Sequence, residues 1–143
     1  MSHHRLRLHQ ADRQDRRGLM AALDATQCLA WFAPDSRVLE ANPNLQALLG
    51  WPHQVLCDMS YQMLMGEKGR HDAYYATHWQ RILDAEVRSE ERELVAADGN
   101  TLWCAMTYAP IRKPDGTPQR VLAIVLDLSP WNRNPKEGLA RIY

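Results

Sequence analysis

The segment from Arg120 to Leu128, RVLAIVLDL, constrains the fold more than any other part of the chain. Val121, Ala123 and Val125 alternate with Leu122, Ile124 and Leu126, so a strand here is apolar on both faces. Such a strand needs cover above and below and belongs at the centre of a sheet. The preceding stretch, Leu102 to Ile111, behaves similarly, with Leu102, Cys104, Met106 and Tyr108 on one face and Trp103, Ala105 and Thr107 on the other. Pro114, Asp115 and Gly116 supply the turn between these strands, and Asp98-Gly99 supplies the turn from an earlier strand over Val87 to Ala97. Glu86, Glu90, Glu91 and Glu93 crowd that earlier strand, which reads as a solvated sheet edge.

Upstream the pattern changes. Cys28 to Ala33 is short, apolar and aromatic, Pro34, Asp35 and Ser36 carry turn chemistry, and Arg37 to Ala41 resumes an extended pattern, which predicts a hairpin. Asn42 and Pro43 then open a helix in which Leu45, Leu48 and Leu49 share a face and Gly50 ends the run. Residues 51–70 predict short helical turns, broken by Pro52, Gly66 and Gly69. Asp72 is placed to cap a longer helix through Glu86, with Tyr75, Trp79, Ile82 and Leu83 as its apolar stripe. An amphipathic leader helix is expected from Asp12 to about Thr26, carrying Leu19, Met20 and Leu23. The order of elements gives an α+β domain over 19–129, a basic leader over 1–18 in which disorder is expected, and a tail over 130–143. Pro130 and Pro135 in that tail interrupt any helical connector toward an effector.

Several function classes drop away on composition and spacing. The first 18 residues sum to +3 and the remainder to −3, but no aromatic side chain is interleaved with the leader arginines, so nucleic acid is not the expected partner. No apolar run reaches the roughly 20 residues needed to span a bilayer, and the N-terminus lacks a secretory core, so no membrane insertion and a cytoplasmic location are expected. Cys28, Cys57 and Cys104 are odd in number and widely spaced, which predicts reduced, buried thiols. Neither a nucleophile–base pairing, a Walker loop nor an HExxH core is present, so catalysis is not expected.

Six ordered motifs resemble the PAS family, and most closely the PAS sensor domains of bacterial methyl-accepting chemotaxis transducers for energy or redox taxis. VLEANPNLQALLGW at 38–51 resembles the family's second strand, its Asn, and a helix closed by Gly and an aromatic. THWQRILDAE at 77–86 resembles the FWxxLxxGE helix, and DGNTLWCAMTYAPI at 98–111 resembles DGxxxWxxxxYxPI. The Asp-Gly at 115–116 and DLS at 127–129 match the next turn and the terminal DIT, and the leader resembles the family's cap helix. The resemblance implies a five-stranded antiparallel sheet with helices on one face and an N-terminal cap helix. It also implies a sensory domain of a chemotaxis or kinase-type signalling protein, binding a small ligand or cofactor and relaying through homodimer or connector contacts to a downstream domain. The alternative is a PAS-fold dimerisation module with a filled core.

The same resemblance implies a ligand-facing set of His71, Tyr75, Trp79, Cys104, Met106, Ala123 and Val125. RHDAYY at 70–75 resembles the RHDSYI of haem-binding PAS oxygen sensors, which implies His71 as the axial metal ligand of haem b. The chain departs from those sensors at Thr77 and Glu90, where they carry arginines. Trp79 and Trp103 resemble the FAD-binding redox sensors, so haem b, FAD, a metabolite and no cofactor all stand as alternatives, while Ser60 stands near the adduct-forming cysteine of the blue-light subclass.

Overall fold

The computed structural model describes residues 2–66 and 75–130, with side chains from Asp12 onward. Its elements are α1 (Ser2–Thr26), β1 (Cys28–Phe32), β2 (Val38–Ala41), α2 (Pro43–Leu49), α3 (His53–Leu56), α4 (Tyr61–Leu64), α5 (Tyr75–Asp84), β3 (Arg88–Val95), β4 (Thr101–Arg112) and β5 (Pro118–Asp127). The strands form one antiparallel sheet in the order β2-β1-β5-β4-β3. The doubly apolar strand β5 is indeed central, and the glutamate-rich β3 is an edge. This is the expected PAS arrangement.

Register fixes which side chains face the helices. Met106 pairs with Val125, Tyr108 with Ala123, and Ala30 with Ala123. The inner face therefore carries Ala30, Phe32, Cys104, Met106, Tyr108, Val121, Ala123 and Val125, each at most 3% exposed. Leu45, Leu49, Leu56, Tyr61, Leu64, Trp79 and Ile82 from the helices complete one core cluster. The opposite face is less covered, since Trp103, Leu122 and Ile124 are half-buried and Leu126 is 47% exposed.

Asn42 is the fastener of the N-terminal half. Its Oδ1 accepts from the backbone N–H groups of Leu45 and Leu29, both at 3.0 Å, capping α2 and holding β1. Its Nδ2 donates to the carbonyls of Asp24 and Gln27 at 3.2 and 2.7 Å, tying in the end of α1. Gly50 ends α2 at φ 75°, a left-handed conformation that glycine adopts without a Cβ penalty.

Three expectations change. The leader helix begins at Ser2 rather than Asp12, because residues 2–17 hold neither Gly nor Pro and Arg16 pairs with Asp12 at 2.7 Å one turn apart. Leu19 and Met20 of the expected amphipathic leader are 61% and 41% exposed, and the C-terminal end of α1 is pinned beside α2. Of the cysteines, all free, only Cys104 is buried; Cys28 and Cys57 are half-buried. His71, Asp72 and residues 131–143 lie outside the described residues. No helix among the described residues is long and apolar enough to cross a membrane.

Candidate functional site

Strand β3 alternates charged side chains on both faces, and that conceals its inner set. Glu91 and Glu93 point to solvent as expected, but pairing of Glu90 with Met106 and of Arg92 with Cys104 turns those two toward the helices. Glu90 is thus not part of a solvated edge: its side chain is 11% exposed. An inward carboxylate on an otherwise apolar sheet face is tolerated only when donors surround it.

The donors come from three other elements. Tyr61 of α4 donates its hydroxyl to Glu90 Oε1 at 2.8 Å, and His78 Nε2 of α5 lies 3.0 Å from the same oxygen. The Tyr108 hydroxyl of β4 is 2.9 Å from both that oxygen and the Tyr61 hydroxyl, and so links the pair. Arg92 closes the network, with Nη2 at 3.3 Å from Glu90 Oε2 and Nε at 3.3 Å from Oε1. Arg92 Nη2 also lies 3.1 Å from His78 Nε2. A guanidinium only donates, so His78 Nε2 bonds Glu90 when it carries a proton and Arg92 when it does not.

Electrostatics keep this cluster as one partly buried ion pair among neutral phenols. Burial pushes the Glu90 carboxyl upward, but hydrogen bonds from His78, Arg92, Tyr61 and Tyr108 outweigh it and hold the group below the ordinary glutamate range. Burial drives the Tyr61 and Tyr108 phenols well above their usual range, so both remain donors. Burial, then the charge of Asp127, likewise pushes the Cys104 thiol up to about 12, which leaves it an unreactive thiol.

In front of Tyr61 a cavity of about 290 Å³ opens between the β1–β2 turn, α4 and α5. Tyr61, Tyr75 and Trp79 supply its aromatic walls, and Asp35, Ser36 and Gln62 its polar rim. Ring centroids of Tyr61 and Tyr75 are 5.8 Å apart, and those of Tyr61 and Trp79 are 5.2 Å apart. Trp79 Nε1 donates to the Pro34 carbonyl at 2.7 Å, fixing α5 against the turn that carries Asp35.

Of the expected site residues, Tyr75 and Trp79 therefore line a cavity together. Cys104, Met106, Ala123 and Val125 do converge on the inner sheet face, but they pack into the core cluster with Phe32, Leu64 and Ile82. His71 lies outside the described residues, and no group of three His, Cys, Asp or Glu side chains among the described ones is arranged to hold a metal. The cavity sits at the lower edge of ligand-pocket volumes. Sequence pattern did not mark Tyr61, Glu90 and Arg92 as site residues, nor His78 as buried. One signal was present, because His78 completes an i, i+3, i+4, i+7 set with Tyr75, Trp79 and Ile82.

Comparison with known proteins agrees with this architecture. The sequence pattern of the PAS fold family matches residues 23–130. The biofilm dispersion protein BdlA of Pseudomonas aeruginosa is 30% identical over 117 residues, covering 76% of this chain and 26% of that protein. This chain thus spans about a quarter of that relative's length. Among solved structures, a domain of a sensory box sensor histidine kinase/response regulator from Geobacter sulfurreducens superposes with a TM-score of 0.66 at 21% identity, covering 78% of this chain and 94% of that one. An RNA-binding light-oxygen-voltage receptor superposes with a TM-score of 0.70 at 18% identity, covering 87% of this chain and 35% of that one. At these identities the structural likeness speaks for the fold.

Proposed function

This chain belongs to the PAS fold family, and on that premise we propose that it is a sensory domain of a bacterial signal-transduction protein. In this proposal it takes up a small ligand in the Tyr75–Trp79 cavity and relays occupancy through homodimer or connector contacts to a downstream signalling domain. The observation that carries the reading is the double role of Tyr61, which walls the cavity and donates to Glu90 on β3. A ligand that shifts the Tyr61 ring perturbs the Glu90 hydrogen bonds. Strand β3 passes that change through β4 and β5 to β1, whose Leu29 N–H shares Asn42 with the end of α1.

The motifs between Thr77 and Ser129 favour a chemotaxis transducer as the parent protein, and the likeness to the Geobacter domain keeps a kinase type beside it. Exposed Leu19 and Met20 on α1, with Leu126 on the outer sheet face, support the homodimer. The proposal is of a cytoplasmic sensor and not of an enzyme, since the Glu90 carboxylate is engaged by donors of its own chain. The packed inner set of Cys104, Met106, Ala123 and Val125 supports a metabolite over haem b or FAD, and equally favours the second reading, a dimerisation module with a filled core.

Thermal-shift screening against amino acids, organic acids, nucleotides and amines tests the proposal, with amide hydrogen exchange on any hit. Stabilisation accompanied by altered exchange in β3 is expected. A Soret band in the purified or haem-supplemented protein, abolished in His71→Ala, would move the reading to a haem sensor. No hit and no visible absorption would leave the dimerisation module.

A further inference from the structure

The chain segregates its charges. Residues 1–18 carry five arginines against two aspartates, whereas residues 19–129 carry nine Lys or Arg against 14 Asp or Glu, a formal −5. The basic part is α1, where Arg13, Arg16, Arg17 and Met20 stand at i, i+3, i+4 and i+7 and so share one helix face, with Leu19 flanking it. All five are exposed. Arg16 pairs within the helix, with Asp12 at 2.7 Å, and Arg13 and Arg17 make no ion pair among the described residues. A single chain thus leaves both the charge and the apolar side chains of this helix face in solvent.

A complementary surface lies on the outer face of the sheet, over β3, β4 and the end of β5. Alternation along β3 sends Glu91 and Glu93 outward, and both are exposed. Register sets Glu93 opposite Trp103, Glu91 opposite Ala105, and Ala105 opposite Leu126. These side chains face the same way, so half-buried Trp103 and Ala105 and exposed Leu126 form one apolar patch bordered by two carboxylates. Arg120, outward on the same face, lies six residues along β5 from Leu126, roughly 20 Å away, and stacks on Trp31 instead. The spacings also agree. One helical turn of about 6 Å separates Arg13 from Arg17, and about 7 Å separates Glu91 from Glu93 along the strand.

We infer that α1 of a second copy docks on the Trp103–Leu126 patch, with Met20 and Leu19 against its apolar centre and Arg13 and Arg17 against Glu91 and Glu93. This inference rests on the homodimer part of the reading above and names the two surfaces that meet. Each copy has one leader and one patch, so a closed two-fold dimer contains the contact twice. The occupant is a second copy, and not a foreign acidic partner, because the chain itself supplies both signs of charge and both apolar surfaces. Strand β3 carries Glu90 inward and Glu91 outward, so the buried network and the docking surface share one strand.

Analytical ultracentrifugation of the full chain and of charge-reversed variants, at low and at high salt, tests the inference. The parent dimer is expected to weaken as salt rises, because exposed ion pairs are screened. Arg13→Glu with Arg17→Glu, and separately Glu91→Lys with Glu93→Lys, are each expected to weaken the dimer by roughly tenfold or more. The four changes together are expected to restore it to within about threefold, since opposite charges then meet again. All four positions are exposed, and circular dichroism verifies that the variants fold. Should the β3 variant fail to fold, the leader variant decides alone, because it alters only solvent-exposed helix positions. A parent dimer indifferent to both reversals would overturn the docking and leave the homodimer standing. Weakening by each pair without rescue in the combined variant would overturn the pairing of these two surfaces. A chain monomeric at every concentration would remove the homodimer together with the inference.

Discussion

Tyr61 and Glu90 meet at 2.8 Å although 29 residues separate them, and the bond joins a short helix to the edge strand. It is one of several donors converging on a single carboxylate oxygen, so its loss is partly compensated by the others. Tyr61→Phe is expected to lower stability by about 1 kcal/mol, the scale of one hydrogen bond with the acceptor still served. Pairing it with Tyr108→Phe should cost more than the sum of the two single changes, because Glu90 then keeps only His78 and Arg92. Urea denaturation of the four proteins measures this, and strict additivity would show that the two hydroxyls act independently.

Glu90→Gln is expected to change how stability depends on pH. The folded-state carboxyl lies below its unfolded value, so its contribution is fully present above the ordinary glutamate pKa of about 4.3 and disappears as pH falls through the lower folded value. The variant should therefore show a flatter acid limb than the parent protein between pH 5 and the acid transition. At pH 7 it should be destabilised by roughly 2 kcal/mol, less than for a fully buried pair because the Arg92 side chain is 35% exposed. Urea midpoints measured from pH 7 downward give both quantities, and parallel acid limbs would remove Glu90 as their source.

Asn42→Ala removes a helix cap and the links from α2 to β1 and α1. The expected loss is about 2 kcal/mol, at the upper end for a single cap. Hydrogen exchange should quicken at the Leu29 and Leu45 amides before the rest of the core, whereas a uniform change would point to global destabilisation alone.

Deletion of residues 1–26 tests the role assigned to the leader. Light scattering is expected to report either a halved mass or aggregation through the outer face, where Leu126 is already exposed. An unchanged mass with full solubility would count against dimerisation through α1.

The parts of the fold legible in the sequence were those where one period dominates. Strand β5 announced itself because both of its faces are apolar, and α2 because Asn42, Pro43 and Gly50 mark its ends. Tyr75 and Trp79 were legible as a helical stripe, and they do line the cavity. Glu90 was not, because charged residues stand on both faces of β3 and periodicity cannot separate an inward carboxylate from an outward one. What admits Glu90 to the interior is Tyr61 and His78, two side chains distant in sequence whose donors only the folded chain brings to it. His78 was hidden for a related reason, since a polar residue inside an apolar stripe declares its burial only once its partner is known.

From Asp12 to Thr26 every side chain of α1 except Leu23 is exposed, and the helix is fastened at its last turn by Asn42 and Asn44. The 15 residues from Asp12 to Thr26 form an arm about 22 Å long that is fastened at its C-terminal end. A tilt of about 10° at its base sweeps Asp12 through roughly 4 Å. Displacements at β1 too small to alter the core are thus magnified at the leader, which makes Asn42 the fulcrum of the domain.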